Sequence, residues 1–144
     1  MRQAVLPNLA AAEAQFASHE GSCAELLRAL AQRFLHLLDS DLTAVPKLVI
    51  AESGNFPAIA QFYADTVLRR AFALVEGILT RGMERAEFRR LDVHAILPLF
   101  AAPFLLLALW KHSLGRHTDL TFAPRAVAEA HLDVLLRGLA PDHS

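Results

Sequence analysis

Apolar residues return along almost the whole chain at the three- and four-residue steps of an α-helix, and no segment alternates as a half-buried strand would. Val5, Leu9, Ala12 and Phe16 predict a first helix that fades at His19, Glu20 and Gly21. Ser22 and Glu25 then make a Ser-x-x-Glu capping box, in which side chains and backbone N–H groups pair reciprocally at a helix start. The helix it opens carries Leu27, Leu30, Ala31, Phe34 and Leu38 on one face, with Arg28, Gln32, His36 and Asp39 opposite. Asp39, Ser40 and Asp41 break the pattern. A short helix follows over residues 47–52, with Gly54 placed for a left-handed cap. Pro57, suited to a first helical turn, starts a long helix that reaches about Gly82. Two apolar stripes run along it: Phe56, Ala60, Tyr63, Val67, Ala71, Leu74 and Ile78, and beside them Leu68, Phe72, Val75 and Leu79. A central helix touching several neighbours has this pattern.

An arginine-rich polar stretch, residues 81–92, leads into the least amphipathic part of the chain. Sixteen consecutive residues, 95–110, read AILPLFAAPFLLLALW and carry neither a charge nor a hydroxyl or amide side chain. A helix apolar on every side needs cover all round, from a large core, a membrane or another chain. A chain of 144 residues covers one face of it easily and two with difficulty, which points to a partner. The run falls short of a comfortable membrane span of ~20 residues. Pro98 and Pro103 interrupt it, and no aromatic belt or basic flank accompanies it, so no membrane is expected. Pro124 starts a last helix with Val127, Ala130, His131, Val134 and Leu135 on one side, and residues 140–144 read as a disordered tail. The predicted fold is an all-α helical bundle of about six helices, one domain over residues 1–139.

Charge and composition remove several functions. Fourteen basic residues against fifteen acidic ones leave a net charge of −1, so no global field favours nucleic acid. One cysteine, Cys23, excludes an internal disulfide and any CxxC site, and fits a reducing, cytoplasmic setting. Residues 1–16 lack the continuous apolar core of a signal peptide. No GxSxG, P-loop or dinucleotide fingerprint occurs, so neither an enzyme nor a cofactor is expected. The histidines, His19, His36, His94, His112, His117, His131 and His143, include no HExxH pair and read as surface or interface residues rather than metal ligands. Arg81, Arg85, Arg89 and Arg90 invite a phosphate-binding reading. Glu84 and Glu87 interleave with them, and the helix dipole favours cations near a helix C-terminus anyway. Cys23 lies in a first helical turn, where a thiol pKa can be lowered, but one such hint does not make a redox sensor.

From residue 47 onward the order of pieces resembles the C-terminal domain of TetR/AcrR-family transcriptional regulators. The resemblance is carried by LVIAE at residues 48–52, the turn Gly54-Asn55-Phe56-Pro57, and a long helix with Phe62-Tyr63 that ends at Arg81-Gly82. Glu87-Phe88-Arg89, an apolar helix from Asp92 to Leu109-Trp110, and a Pro-initiated last helix complete the set. The order of these pieces, not any one motif, carries it over about residues 1–139. The resemblance implies a domain that binds an effector and dimerises through its last two long helices, two from each subunit. Residues 1–19 resemble the end of the helix that connects such a domain to its DNA-reading head. No three-helix head precedes Ser22, so DNA is expected to be read only through a helix-turn-helix unit missing from these residues.

On that plan the subunit contact comprises Phe100, Pro103, Phe104, Leu107, Trp110, Val127, His131, Val134 and Leu135, a patch meeting its own copy across a two-fold axis. Burying roughly a dozen large side chains there, at ~1.5–3 kcal/mol each, outweighs the cost of association. His131 in such a contact would make it pH-sensitive. Pockets between bundle helices take small molecules. Phe34, Leu38, Ile50, Tyr63, Val67, Leu97 and Ala101 are the candidate lining, with plain core packing as the competing reading of each. The ligand class is a small apolar or aromatic effector that shifts a population of domain orientations. The expected function is therefore ligand sensing and homodimerisation in a TetR-type regulator acting as a repressor. Two others stay open: a stand-alone helical dimerisation or small-molecule-binding module unrelated to transcription, and a helical enzyme assembled from His94, Glu52 and Tyr63.

Overall fold

The computed structural model describes residues 2–38, 50–51 and 54–141, and among them it is all-helical, with no strand. Helix α1 is Arg2–Ser18 and α2 is Cys23–Leu38. Helix α3 runs without interruption through Pro57–Tyr63, a π-helical stretch Ala64–Leu68, and Arg69–Glu84. Helix α4 is Val93–His112, a 3₁₀ turn follows at Leu114–His117, and α5 is Pro124–Leu139. Of the short helix expected over 47–52, Ile50 and Ala51 are helical, while residues 47–49 and 52 lie outside the described residues. The break expected at residues 39–41 and the tail at 142–144 lie outside them too. Five long helices thus stand among the described residues where about six helices were expected, the sixth being the short one over 47–52.

Helices α2, α3, α4 and α5 close a ring in which sequence neighbours pack side by side and α5 returns to α2, while α1 lies outside against α3. The starts of α2 and α4 lie beside the ends of α3 and α5, so neighbouring helices run antiparallel, the arrangement of an up-down bundle. The core follows from the stripes: Leu26, Leu27, Ala31 and Leu38 from α2, Leu74, Val75, Ile78, Leu79 and Met83 from α3, and Ala128, Leu132 and Leu139 from α5. Helix α4 adds Leu97, Phe100, Phe104, Leu107 and Ala108. The stripes predicted for α3 bury only their C-terminal half, because Phe56 and Phe72 remain exposed. A π turn inserts one extra residue per turn and rotates the face that follows, so one continuous periodicity does not describe both halves.

The turn after α3 holds the helices at one end. Glu87 N–H donates to Gly82 O at 2.8 Å and Ala86 N–H to Met83 O at 3.1 Å, the paired bonds of a Schellman motif. Its left-handed residue is Ala86, at φ 57°, and no described glycine has positive φ, so Gly54 does not take the left-handed conformation expected of it. Gly82 is needed for another reason: a Cβ there would run into the Phe88 ring. The motif aims Glu87 at α2, where its carboxylate accepts from Cys23 N–H at 2.8 Å and Ala24 N–H at 2.9 Å. Only half of the predicted capping box forms. Ser22 Oγ accepts from Glu25 N–H at 3.1 Å, but Glu25 turns to His19, 3.5 Å away, and Glu87 takes its place at the helix start.

Three arginines extend the same turn to other helix ends. Arg81 donates to Phe16 O of α1 at 3.1 Å and stacks on the Phe16 ring, 3.8 Å from its centre. Arg85 donates to Gly21 O at 3.2 Å. Arg89 donates through its side chain to Gly138 O at 2.7 Å and through its backbone N–H to Leu139 O at 2.8 Å, closing the end of α5. Three of the four arginines read from sequence as a possible phosphate patch are spent on carbonyls. Along its length α1 is tied down by a Glu13–Arg70 ion pair to α3 and by Arg33 of α2, which donates to Gln15 at 3.1 Å.

Candidate functional site

Two surfaces at the other end and side of the bundle are built for contact. The first is a cavity of about 300 Å³ where the end of α2, the end of α4 and the start of α5 meet, lined by Leu38, Leu107, Trp110, Lys111, Phe122 and Pro124. Its wall is held in place by the loop between α4 and α5. Trp110 Nε1–H donates to Leu120 O at 3.0 Å, and the Trp110 and Phe122 rings meet edge to face with centres 4.9 Å apart. Gly115 lets the 3₁₀ turn lie directly on the Trp110 carbonyl, which a Cβ would strike. A second, more open hollow of about 320 Å³ is lined by Ile50, Ala51, Leu109, Ser113 and Leu114.

The seven residues expected to share one pocket are dispersed. Leu38 lines the first cavity and Ile50 the second, where it is 60% exposed. Phe34 meets the Phe104 ring at a tilt, with centres 4.9 Å apart, and Leu97 belongs to the central core. Tyr63 and Val67 lie half-buried around the π-helical stretch, Tyr63 with its pKa pushed up by burial, and Ala101 is half-buried on α4. Sequence reasoning missed Lys111, Phe122 and Pro124. The available signal was Lys111 as the cation ending the apolar run, with Phe122 two residues before the helix-starting proline.

The second surface is the outer side of α4 and α5. Phe100, Phe104 and Leu107, expected at a subunit contact, are instead buried inside the chain, because α4 turns that face to α2 and α5. At about 100° per residue, the opposite face carries Ala95, Pro98, Leu99, Ala102, Leu105 and Leu106, all exposed. Leu99 is 58% exposed and Leu106 45%. Beside it, α5 points Ala126, Ala130 and Val134 outward, Val134 at 71% exposure, while Val127 and Leu135 turn partly inward. Pro103 and Trp110 are half-buried along the seam. His131 also faces the chain's own interior: its Nε2–H donates to Phe100 O at 2.9 Å, with the Phe100 and Phe104 rings 5.7 and 5.4 Å away.

No family model, curated protein or solved structure matches this chain. What its surfaces do therefore rests on their own chemistry. Among the described residues no group of three or more His, Cys, Asp or Glu is placed to hold a metal ion. Cys23 is fully buried and its thiol is pushed up, first by that burial and then by the Glu87 charge, the reverse of the lowering its helix position predicts. His94 reaches Glu76 at 4.0 Å. Tyr63 lies thirteen residues along α3 from Glu76, ~20 Å at 1.5 Å per residue, so His94 and Tyr63 do not share a site. Glu52 lies outside the described residues. Helix α4 is long and apolar enough to cross a membrane, with mean hydropathy 2.1 and only 28% of its apolar window buried.

Leu99, Leu105, Leu106 and Val134 are four large side chains per chain, each about half exposed or more. Covering all eight in a pair, at roughly 1 kcal/mol apiece, yields about 8 kcal/mol. Association costs ~4–15 kcal/mol. The gain and the cost are of the same size, and the face is smaller than the dozen fully buried side chains read from the sequence.

Proposed function

We propose that this chain is the effector-binding and homodimerisation domain of a TetR/AcrR-type transcriptional regulator, with DNA read by a helix-turn-helix unit outside these residues. The observation that carries this reading is the adjacency of the two surfaces. Trp110 lines the apolar cavity and sits at the edge of the outward face of α4, and Pro124 on the cavity rim begins α5, which continues that face. A ligand filling the cavity would press on both helices of the subunit contact and bias their relative position, which is how a binding event shifts a population without chemistry. The antiparallel all-α ring agrees with a sensor.

Light scattering across protein concentration tests the assembly. The expected result is a dimer at tens of micromolar that dissociates on dilution, and a folded monomer for Leu106→Glu. A monomer at every concentration overturns it. A panel of apolar compounds tests sensing, with at least one expected to raise Tm by mass action on the folded state.

A further inference from the structure

Among the described residues, the cavity between the far ends of α2, α4 and α5 is apolar except at one point. Leu38, Leu107, Trp110, Phe122 and Pro124 make its walls, and the remaining lining residue is Lys111. Lys111 is exposed and makes no ion pair among the described residues. Among the described residues no carboxylate lines the cavity. On the same rim α5 begins at Pro124 without a side-chain cap and without an acidic residue in its first turn, so its positive dipole end adds to the field of Lys111. Trp110 Nε1–H is already committed to Leu120 O, which leaves the ammonium as the polar group available to orient a ligand. At about 300 Å³ the space lies at the small end of the ~300–1,000 Å³ common for ligand sites.

Resting on the effector reading, we propose that the effector is an apolar monocarboxylate, its body between the Trp110–Phe122 wall and Leu38 and Leu107, its carboxylate against the Lys111 ammonium. A neutral body of the same shape fills the walls but leaves the ammonium unengaged. A cation meets it as a like charge. One compact, strongly hydrated ammonium suits a singly charged head group.

Trp110 is the chain's only tryptophan, so its emission reports on the cavity. The full chain is titrated with octanoate, 1-octanol and octylamine, which share a body and differ in charge. Octanoate is expected to shift Trp110 emission saturably and to bind up to about fivefold more tightly than 1-octanol, the most an exposed ion pair supplies. Octylamine is expected to be the weakest. Lys111→Met should abolish the preference and leave 1-octanol binding intact, while Lys111→Arg should keep it. Both substitutions are at an exposed position, and a circular dichroism melt verifies that the variants fold. Equal binding of octanoate and 1-octanol, or a preference that survives Lys111→Met, overturns the carboxylate assignment and leaves effector binding standing. If none of the three compounds moves the emission or Tm, the effector reading falls with it.

Discussion

Ala86 occupies a backbone conformation that costs an L-residue about 1–2 kcal/mol, and it is held there by the two crossed hydrogen bonds of the Schellman turn. Glycine loses more chain entropy on folding but escapes that penalty. Ala86→Gly is therefore expected to stabilise by about 0.5–1 kcal/mol, a rise in Tm of ~2–4 °C at this chain length, read in a thermal melt. Glu87 is the opposite case. Its carboxylate satisfies two N–H groups at the start of α2 that no local side chain reaches, so Glu87→Ala should cost ~1–2 kcal/mol. Denaturant unfolding checks this, and a loss indistinguishable from that of Glu84→Ala would refute it. Neither role was legible in the sequence. A left-handed alanine carries no mark of its conformation, and a cap sixty-four residues away from the helix it caps has no local spacing to betray it.

Between elements, the decisive contact is the one His131 makes from α5 to the Phe100 carbonyl of α4. Desolvation holds its pKa below the ordinary value, against the smaller raising effect of that hydrogen bond. The unfolded chain thus takes up this proton at higher pH than the folded chain. The stability involved is whole above the unfolded value of ~6.5 and is lost as pH falls through it toward the native value. Tm is expected to drop between about pH 7 and pH 5, with a shallower slope in His131→Gln, which keeps a donor for the carbonyl. The same pair of helices marks how far periodicity reached. The stripes of α2 and the existence of α4 and α5 were readable, because caps, prolines and spacing all agreed. Which side of α4 faces inward was not, because leucine and phenylalanine occupy every side of it, and only the neighbours decide. Helix α5 has a similar ambiguity: Ala130 and Val134 continue the apolar pattern onto the face that stays exposed.

At the scale of the molecule, an all-helical fold was legible from composition and spacing, since nothing in the chain competes with helix. The cavity was not, because Leu38, Lys111 and Phe122 come from three segments that no sequence rule brings together. The turn that gathers the ends of α1, α2, α3 and α5 has a consequence for how the protein loosens. Helix termini ordinarily fray, each on its own. Here those four ends share hydrogen bonds to residues 81–89, so none can be released without disturbing the rest. Amide hydrogen exchange is expected to find the backbone N–H groups of Cys23, Ala24, Glu87 and Arg89 among the slowest, exchanging together, while the residues flanking the 3₁₀ turn exchange orders of magnitude faster. Uniform fraying at both ends would contradict this. The bundle then opens from one side only, like a book bound along its spine, and the pages that part first are those around Trp110.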